Sequence, residues 1–427
     1  MVMRSRHRAS PSPYTAVIVT HVRGLGAANH LEGYLVKRVA TVLAIDHPLE
    51  HARPSASSFR LYRSGSIVQV GQHTTSVPEV VRYGVDAALT ALWTRRLVGH
   101  ADLYCGVDAL NAVIGIFLRA IRVVNKVVFY AIDWSPKRFE SVGLDVVYHV
   151  TDRTAALLAD ETWNTAEAMN KGRWPGWLPS LIREGVVARS KTVQTGIASS
   201  LLAELPKADR NRHRLVFMGH LLEKQGLQHV IAALPLIAQN VTDVELAVVG
   251  SGPFEEQLRR LVGKYGVTDR VSFLGYVPDE SEVLQILASS SIGLAPYLES
   301  VDNYTAYADP GKVKNYLAAG LPVVISRVPV IARQIESHGC GCVVPAEPQS
   351  LAAAVTTLLL EDDESLVRRR ERAIEFVRGL GWDSIFADAL GPEFGHTPES
   401  TPNDRPPGLV ARFSVHGSSS RERAHQL

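Results

Sequence analysis

Lys312 and Asn315 lie three residues apart in Asp309–Ser326 (D-P-G-K-V-K-N-Y-L-A-A-G-L-P-V-V-I-S). These types at this spacing suit an anion beside a hydroxyl-bearing group, because a helix presents residues three apart on one face. Gly311 and Lys312 open the predicted helix. Free backbone N–H groups, the positive end of the helix dipole and a cation therefore converge there, which is the make-up of a phosphate site. Val313, Tyr316 and Leu317 fall at i, i+3, i+4 and form an apolar face. Gly320 stops the helix, and Pro322 opens the buried strand Val323–Ile325. Asp309 sits just ahead of the helix, where the helix N-terminus favours a carboxylate or a cap.

Other reactive types cluster at predicted strand ends. Tyr130–Phe139 (Y-A-I-D-W-S-P-K-R-F) is a strand running into a Pro-broken loop, so Asp133, Lys137 and Arg138 face a cleft or form a surface ion-pair loop. Asp108 and Asn111 follow another strand, whereas His149 and Asp152 lie mid-helix and read as structural. Lys224 occupies a strand-to-helix loop; a solvated surface lysine is the plain alternative for it and for Lys312. The cysteines are Cys105, Cys340 and Cys342. They offer neither zinc spacing nor a disulfide framework, and buried thiols are expected. No Asp-x-Asp is present, so basic residues are expected where a metal would otherwise neutralise charge.

Short apolar strands alternate with helical patterns along the whole chain, which predicts an α/β protein of two doubly wound, Rossmann-like domains. A length of 427 residues, 46% hydrophobic, suits two cores. Lys plus Arg is 45 against 43 for Asp plus Glu, which argues against a nucleic-acid partner. The expected division is a disordered terminus 1–13, a first domain 14–205 and a polar linker 206–214. A second domain 215–375, a crossover helix 376–391 and a disordered tail 392–427 complete it. The first strand is placed at Tyr14–Val22, and the Gly-, Pro- and Trp-rich region Lys171–Arg189 is read as irregular. No uncharged run approaches the roughly 20 residues that span a bilayer. A cytoplasmic location follows, with a peripheral membrane contact left open through Ala88–Val98, which reads more readily as a core-facing helix.

The Lys312 segment resembles the donor-site helix of retaining glycosyltransferases of the GT-B fold (group 1, family 4-like), which typically read K-L-x-E-Y-L-A-A-G-x-P-V-V. Val216–Gly226 (V-F-M-G-H-L-L-E-K-Q-G), Leu246–Pro253 (L-A-V-V-G-S-G-P) and Arg270–Val277 (R-V-S-F-L-G-Y-V) resemble further segments in the same order. The resemblance covers Leu215–Leu390. It implies two facing domains and transfer of a sugar from a nucleoside diphosphate sugar to an acceptor hydroxyl with retention and without a cofactor. Lys312 and Lys224 would neutralise the leaving diphosphate with His220 beside them. Gly219, Gly311, Val313 and Asp309 would line the donor site, Gly275, Tyr276 and Val277 the nucleobase, and Asn315 the ribose. The first-domain loop Arg23–His30 would close over diphosphate and acceptor, with Gly24 and Gly26 permitting the turn and Asn29 capping the next helix. Asp133, with Arg138 and Asp108, would meet the acceptor.

The chain departs from this pattern twice. The family's paired acids fall at Tyr307 and Asn315, and Lys224 is displaced by one, leaving Gln225 before Gly226. A non-catalytic nucleotide-sugar binder is therefore the main alternative. A GT-B epimerase or phosphorylase would share the architecture. A nicotinamide-dependent oxidoreductase would need a third glycine after Gly24 and Gly26, where Asn29 stands.

Overall fold

The computed structural model describes residues 12–21, 26–48, 56–174, 180–197, 210–299 and 304–395. Fourteen strands form two sheets. The first eight are β1 (Ser12–Thr20), β2 (Val39–Asp46), β3 (Ala56–Arg63), β4 (Ser66–Thr74), β5 (Ala101–Val107), β6 (Val124–Ala131), β7 (Glu161–Asn164) and β8 (Ser190–Thr192). They lie in the order β4-β3-β2-β1-β5-β6-β7-β8. The second sheet comprises β9 (Arg214–Met218), β10 (Glu245–Val249), β11 (Val271–Gly275), β12 (Ile292–Ala295), β13 (Val323–Ile325) and β14 (Gly341–Val343). Its order is β11-β10-β9-β12-β13-β14, with every pairing parallel. In each sheet the strand order reverses direction once, between β1 and β5 and between β9 and β12. In open α/β sheets that reversal leaves a crevice at the strands' carboxyl ends.

Helices α1 (Ala27–Val36), α2 (Glu79–Trp93), α3 (Ala109–Ala120), α4 (Val142–Leu158), α5 (Ala168–Arg173) and α6 (Ser180–Ala188) cover the first sheet. Two buried clusters, one on each face, sandwich each sheet. Among the described residues no helix is long and apolar enough to cross a membrane.

Several boundaries differ from expectation. The first strand starts at Ser12, which pairs with Val39, so Ser12 and Pro13 belong to the sheet rather than to a disordered terminus. Arg214, assigned to the linker, opens β9 opposite Glu245. The helix Asp363–Val377 runs past the expected boundary at 375, and the crossover helix is Trp382–Leu390. Pro392–Gly395, assigned to the tail, is a helical turn. Its Phe394 is buried and stacks 4.9 Å from Tyr14, so two aromatics tie the polar flanks onto the first domain. Residues 1–11, 206–209 and 396–427 lie outside the described set. The region expected to be irregular contains α5 and α6. The β3–β4 hairpin was not anticipated. It turns at Ser64-Gly65, both at positive φ (48° and 83°), a geometry that matches strand twist. The Ala88–Val98 stretch is core-facing: Trp93, Leu97 and Val98 pack on the first domain's core, while Arg95 and Arg96 are exposed.

The crossover helix Trp382–Leu390 packs on α1, with Trp382 stacked on His30 at 4.8 Å. A second tie is electrostatic. Lys314 is fully buried and pairs with Asp309, whose Oδ2 also accepts from the Thr195 N–H at 2.8 Å. Lys314 Nζ donates in addition to Thr195 O (2.7 Å) and Gln194 Oε1 (3.1 Å). The pair thus joins the Lys312 helix to the end of the first domain. Removing one partner strands the other charge in a dry site, which costs about 3–5 kcal/mol. Asp309→Ala is expected to lower unfolding free energy by that amount in a denaturant titration, and an effect below about 1 kcal/mol would show that water reaches the pair.

Candidate functional site

The reversal between β9 and β12 is occupied by the helix Gly311–Ala318. The helix seats there because Gly293 of β12 has no side chain: a Cβ would lie 2.5 Å from the Tyr316 ring. Tyr316 fills the hollow, and its hydroxyl accepts the Met218 N–H at 2.6 Å as β9 ends. One turn earlier, Lys312 is thereby laid over the Phe217 and Tyr297 rings, with Nζ at 4.2 and 4.6 Å from their centroids. Its Nζ donates to Gln225 Oε1 at 2.7 Å. Burial, unopposed by any nearby carboxylate, pushes the Lys312 ammonium down to about 7. The floor of the crevice is glycine backbone. A Cβ on Gly250 (φ +128°) would strike Gly219 O at 2.0 Å, so only glycine lets these strand ends meet.

Of the expected donor residues, Gly219 lies beside Lys312, and Gly311 starts the helix against Thr195. His220 is exposed at the rim, and Tyr276 is 74% exposed beyond β11. Gly275 O accepts from the Gly250 N–H at 2.7 Å, whereas Val277 packs partly against the core. Asn315 is half-buried one turn past Lys312. Three expectations are corrected. Val313 is wholly buried, so its side chain serves the core and not a ligand. Asp309 is committed to Lys314 and Thr195, and it does not cap the helix, whose first-turn cap position is Pro310. Lys224 lies 3.9 Å over the Tyr304 ring; Gln225, which was not singled out, is the side chain that reaches Lys312. The shift of one residue against the family segment was the available signal.

The second reversal, between β1 and β5, carries carboxylates. Asp108 follows β5 with a backbone at φ 70°, ψ 159°, a conformation rarely adopted by a residue with a Cβ. It lines a cavity of about 330 Å³ together with Asp133, Arg138, His21 and Tyr148. Burial, and then the charge of Asp133, pushes the Asp108 carboxyl up to about 6, with His21 and Arg138 opposing. Behind the cavity, Asn111 Nδ2 donates to His21 Nδ1 at 2.9 Å, so the ring carries its proton on Nε2, facing Asp86 at 3.7 Å. Burial alone would raise the Asp86 carboxyl. The nearby His21 ring, the His47 contact at 3.2 Å and the Ser57 hydroxyl donating at 2.6 Å outweigh it and hold Asp86 below the usual carboxylate range. His149 and Asp152 are structural: Asp152 takes both arms of Arg173 at 2.7 and 3.1 Å, and His149 contacts Pro136 O at 3.0 Å.

The two sites face one another. Tyr307, where the family acid would stand, packs its ring edge-on to Trp134 of the first domain at 4.7 Å. Gly172 of α5 leaves the space for both rings. Tyr304, which carries Lys224, lies within the fields of Asp133 and Arg138. Gly26 precedes α1 in an extended conformation; α1 already begins at Ala27, so Asn29 lies inside the helix and does not cap it. Gly24 lies outside the described residues.

Residues 212–361 match the family "Glycosyl transferases group 1". A phosphatidyl-myo-inositol mannosyltransferase of Mycolicibacterium smegmatis is 27% identical over 46% of this chain and 50% of its own. The amylovoran biosynthesis glycosyltransferase AmsK of Erwinia amylovora is 31% identical over 34% and 35%. The chain thus spans half or less of these relatives' length. The crystal structure of Anabaena Alr3699/HepE in complex with UDP superposes with a TM-score of 0.63 at 15% identity, covering 88% of this chain and 99% of that one. WaaG, a glycosyltransferase involved in lipopolysaccharide biosynthesis, gives 0.56 at 16%, covering 86% and 97%. The chain shares the GT-B fold of these structures, and within its second domain residues 212–361 match the glycosyl transferases group 1 family.

Lys312 and Asp108 have opposite signatures in pH. The cost of burying the Lys312 cation is fully present below about pH 7 and is relieved as pH rises from there towards the ordinary lysine value. The cost of burying the Asp108 anion is absent below its ordinary value and full above about pH 6. Lys312→Met is therefore expected to raise the melting temperature at pH 6 more than at pH 9, and Asp108→Asn to raise it at pH 8 more than at pH 5. Scanning calorimetry across pH checks both signs.

Proposed function

We propose that the chain is a metal-independent glycosyltransferase that moves a sugar from a nucleoside diphosphate sugar to an acceptor hydroxyl with retention at the anomeric carbon. The observation that carries this reading is Lys312, a half-buried, largely desolvated cation at a helix start with only a neutral amide as its recorded polar partner. An arriving diphosphate would supply the missing anion, displace the Gln225 contact and meet the helix N–H groups at once. The group 1 match, the printed mannosyltransferase and glycosyltransferase names of relatives, and the UDP held by HepE support a nucleotide sugar as the ligand.

In this mechanism the bond between the anomeric carbon and the diphosphate oxygen breaks, and charge builds on the leaving group. Lys312 and the helix N-terminus are aimed where that charge appears. The acceptor hydroxyl forms the new bond on the same face, and its proton passes to the departing phosphate oxygen. Asn315 would hold ribose hydroxyls as donor and acceptor. Asp108 and Asp133, with Arg138 balancing their charge, would hold and orient the acceptor hydroxyl. Gly24 and Gly26 would belong to the closing loop, with His220 and Tyr276 at the rim of the nucleotide. The engagement of Tyr307 with Trp134 favours one second reading, a protein that binds nucleotide sugar without transferring it.

Thermal unfolding against UDP, GDP, ADP and TDP separates these. One nucleotide is expected to raise the melting temperature selectively, by a stabilisation of about 2.7 kcal/mol at a hundredfold excess over its Kd. Lys312→Ala is expected to weaken that nucleotide about 10- to 100-fold and Asn315→Ala about 3- to 10-fold. Because the diphosphate holds the Lys312 proton, binding at pH 8 should take up close to one proton, read from the buffer dependence of calorimetric heats. Response to no nucleotide overturns the donor site. Binding without turnover of the matching nucleotide sugars leaves the non-catalytic reading.

A further inference from the structure

Helix α4 does not place polar residues outward as a solvent-facing helix should. Val142, Val146 and Val150, at i, i+4 and i+8, are 78%, 55% and 57% exposed. Leu144 and Val147 are also exposed, and both line the cavity that holds Asp108. Phe139 and Leu110 do the same from the preceding loop and from α3, and Phe117 extends the exposed surface along α3. Exposed apolar side chains therefore occupy both the outer side of α4 and the lining of the cavity. The same cavity has a charged part, the half-buried Asp108 with the exposed Asp133 and Arg138. Contiguous exposed apolar surface of this kind marks an interaction site.

A wholly apolar ligand would cover the Asp108 and Asp133 carboxylates without a partner for either, and a wholly polar one would leave the valine stripe unused. One occupant suits both ends. We propose that the cavity and the α4 face together bind an amphipathic acceptor, a lipid whose hydroxyl-bearing head sits at Asp108, Asp133 and Arg138 while its acyl or isoprenoid chain passes Leu144 and Val147 onto the stripe of Val142, Val146 and Val150. This names the acceptor class for the glycosyl-transfer reading and rests on it. The chain's carbons replace water on the stripe, and the hydroxyl meets a carboxylate that faces the donor crevice through Tyr304.

The probe is dodecyl β-maltoside below its micelle concentration, with maltose as a head-only control, titrated calorimetrically into the full chain. The alkyl glycoside is expected to bind saturably, at about one per chain and about tenfold or more tighter than maltose. Val142→Ser/Val146→Ser/Val150→Ser changes only exposed positions, and it should cost the alkyl glycoside about tenfold while the melting temperature holds. Equal affinity for the two probes, or binding that the triple variant leaves unchanged, overturns the proposal. Nucleotide-dependent stabilisation of the wild-type protein reports the donor site separately: a chain that answers nucleotide but does not distinguish the probes keeps the donor reading and loses this one.

Discussion

The desolvated ammonium of Lys312 is the constraint on which the rest of the second domain turns. A cation largely removed from water and given an amide oxygen and two aromatic faces costs free energy that these contacts return only in part. The surroundings hold it there regardless. The absent side chain of Gly293 admits Tyr316, the Tyr316 hydroxyl takes the N–H at the end of β9, and the aromatic rings of Phe217 and Tyr297 fix the lysine stem. Such strain is tolerable because the packing behind it is dense and because an anionic ligand would relieve it.

Lys314, two residues on, shows the opposite solution. It is fully buried, deeper than Lys312, yet it has a carboxylate, a backbone carbonyl and an amide oxygen around its ammonium. One short helix thus carries a satisfied lysine facing the first domain and an unsatisfied one facing the crevice. The first joins the helix to the end of the first domain; the second is the one the proposed diphosphate would meet. The use of Asp309 follows from this division, since a carboxylate neutralising Lys314 is not available to a sugar hydroxyl.

Much of this arrangement was legible in the sequence. Alternating apolar strands and helices gave both sheets, and Lys312, Gly311 and Asn315 were placed by the spacing of the helix they open. What was not legible depends on partners far along the chain. Asp309 and Thr195 are 114 residues apart, and no local pattern predicts their bond. Lys224 against Gln225 is decided by a short turn, Glu223–Gln225, that rotates one side chain onto Tyr304 and the other onto Lys312. The β3–β4 hairpin was missed because β4 is exposed along its length, so its alternation carries no burial signal. The valines of α4 show the converse: a hydrophobic periodicity says which residues avoid water, not whether the protein itself covers them.

The two crevices are chemically complementary, and their complementarity bears on what the proposed transfer would gain from a tyrosine in place of the acid at 307. An acid at position 307 would add charge beside Asp133 and Asp108, in a region where burial and mutual repulsion already push Asp108 up to about 6. Tyr307 instead contributes an aromatic edge to Trp134, which closes the cleft by dispersion without adding a third anion. On the proposed mechanism the leaving diphosphate itself becomes the strongest base in the cleft. A carboxylate at 307 would compete with it for the acceptor's proton, while the neutral ring leaves the diphosphate, neutralised by Lys312, to take it.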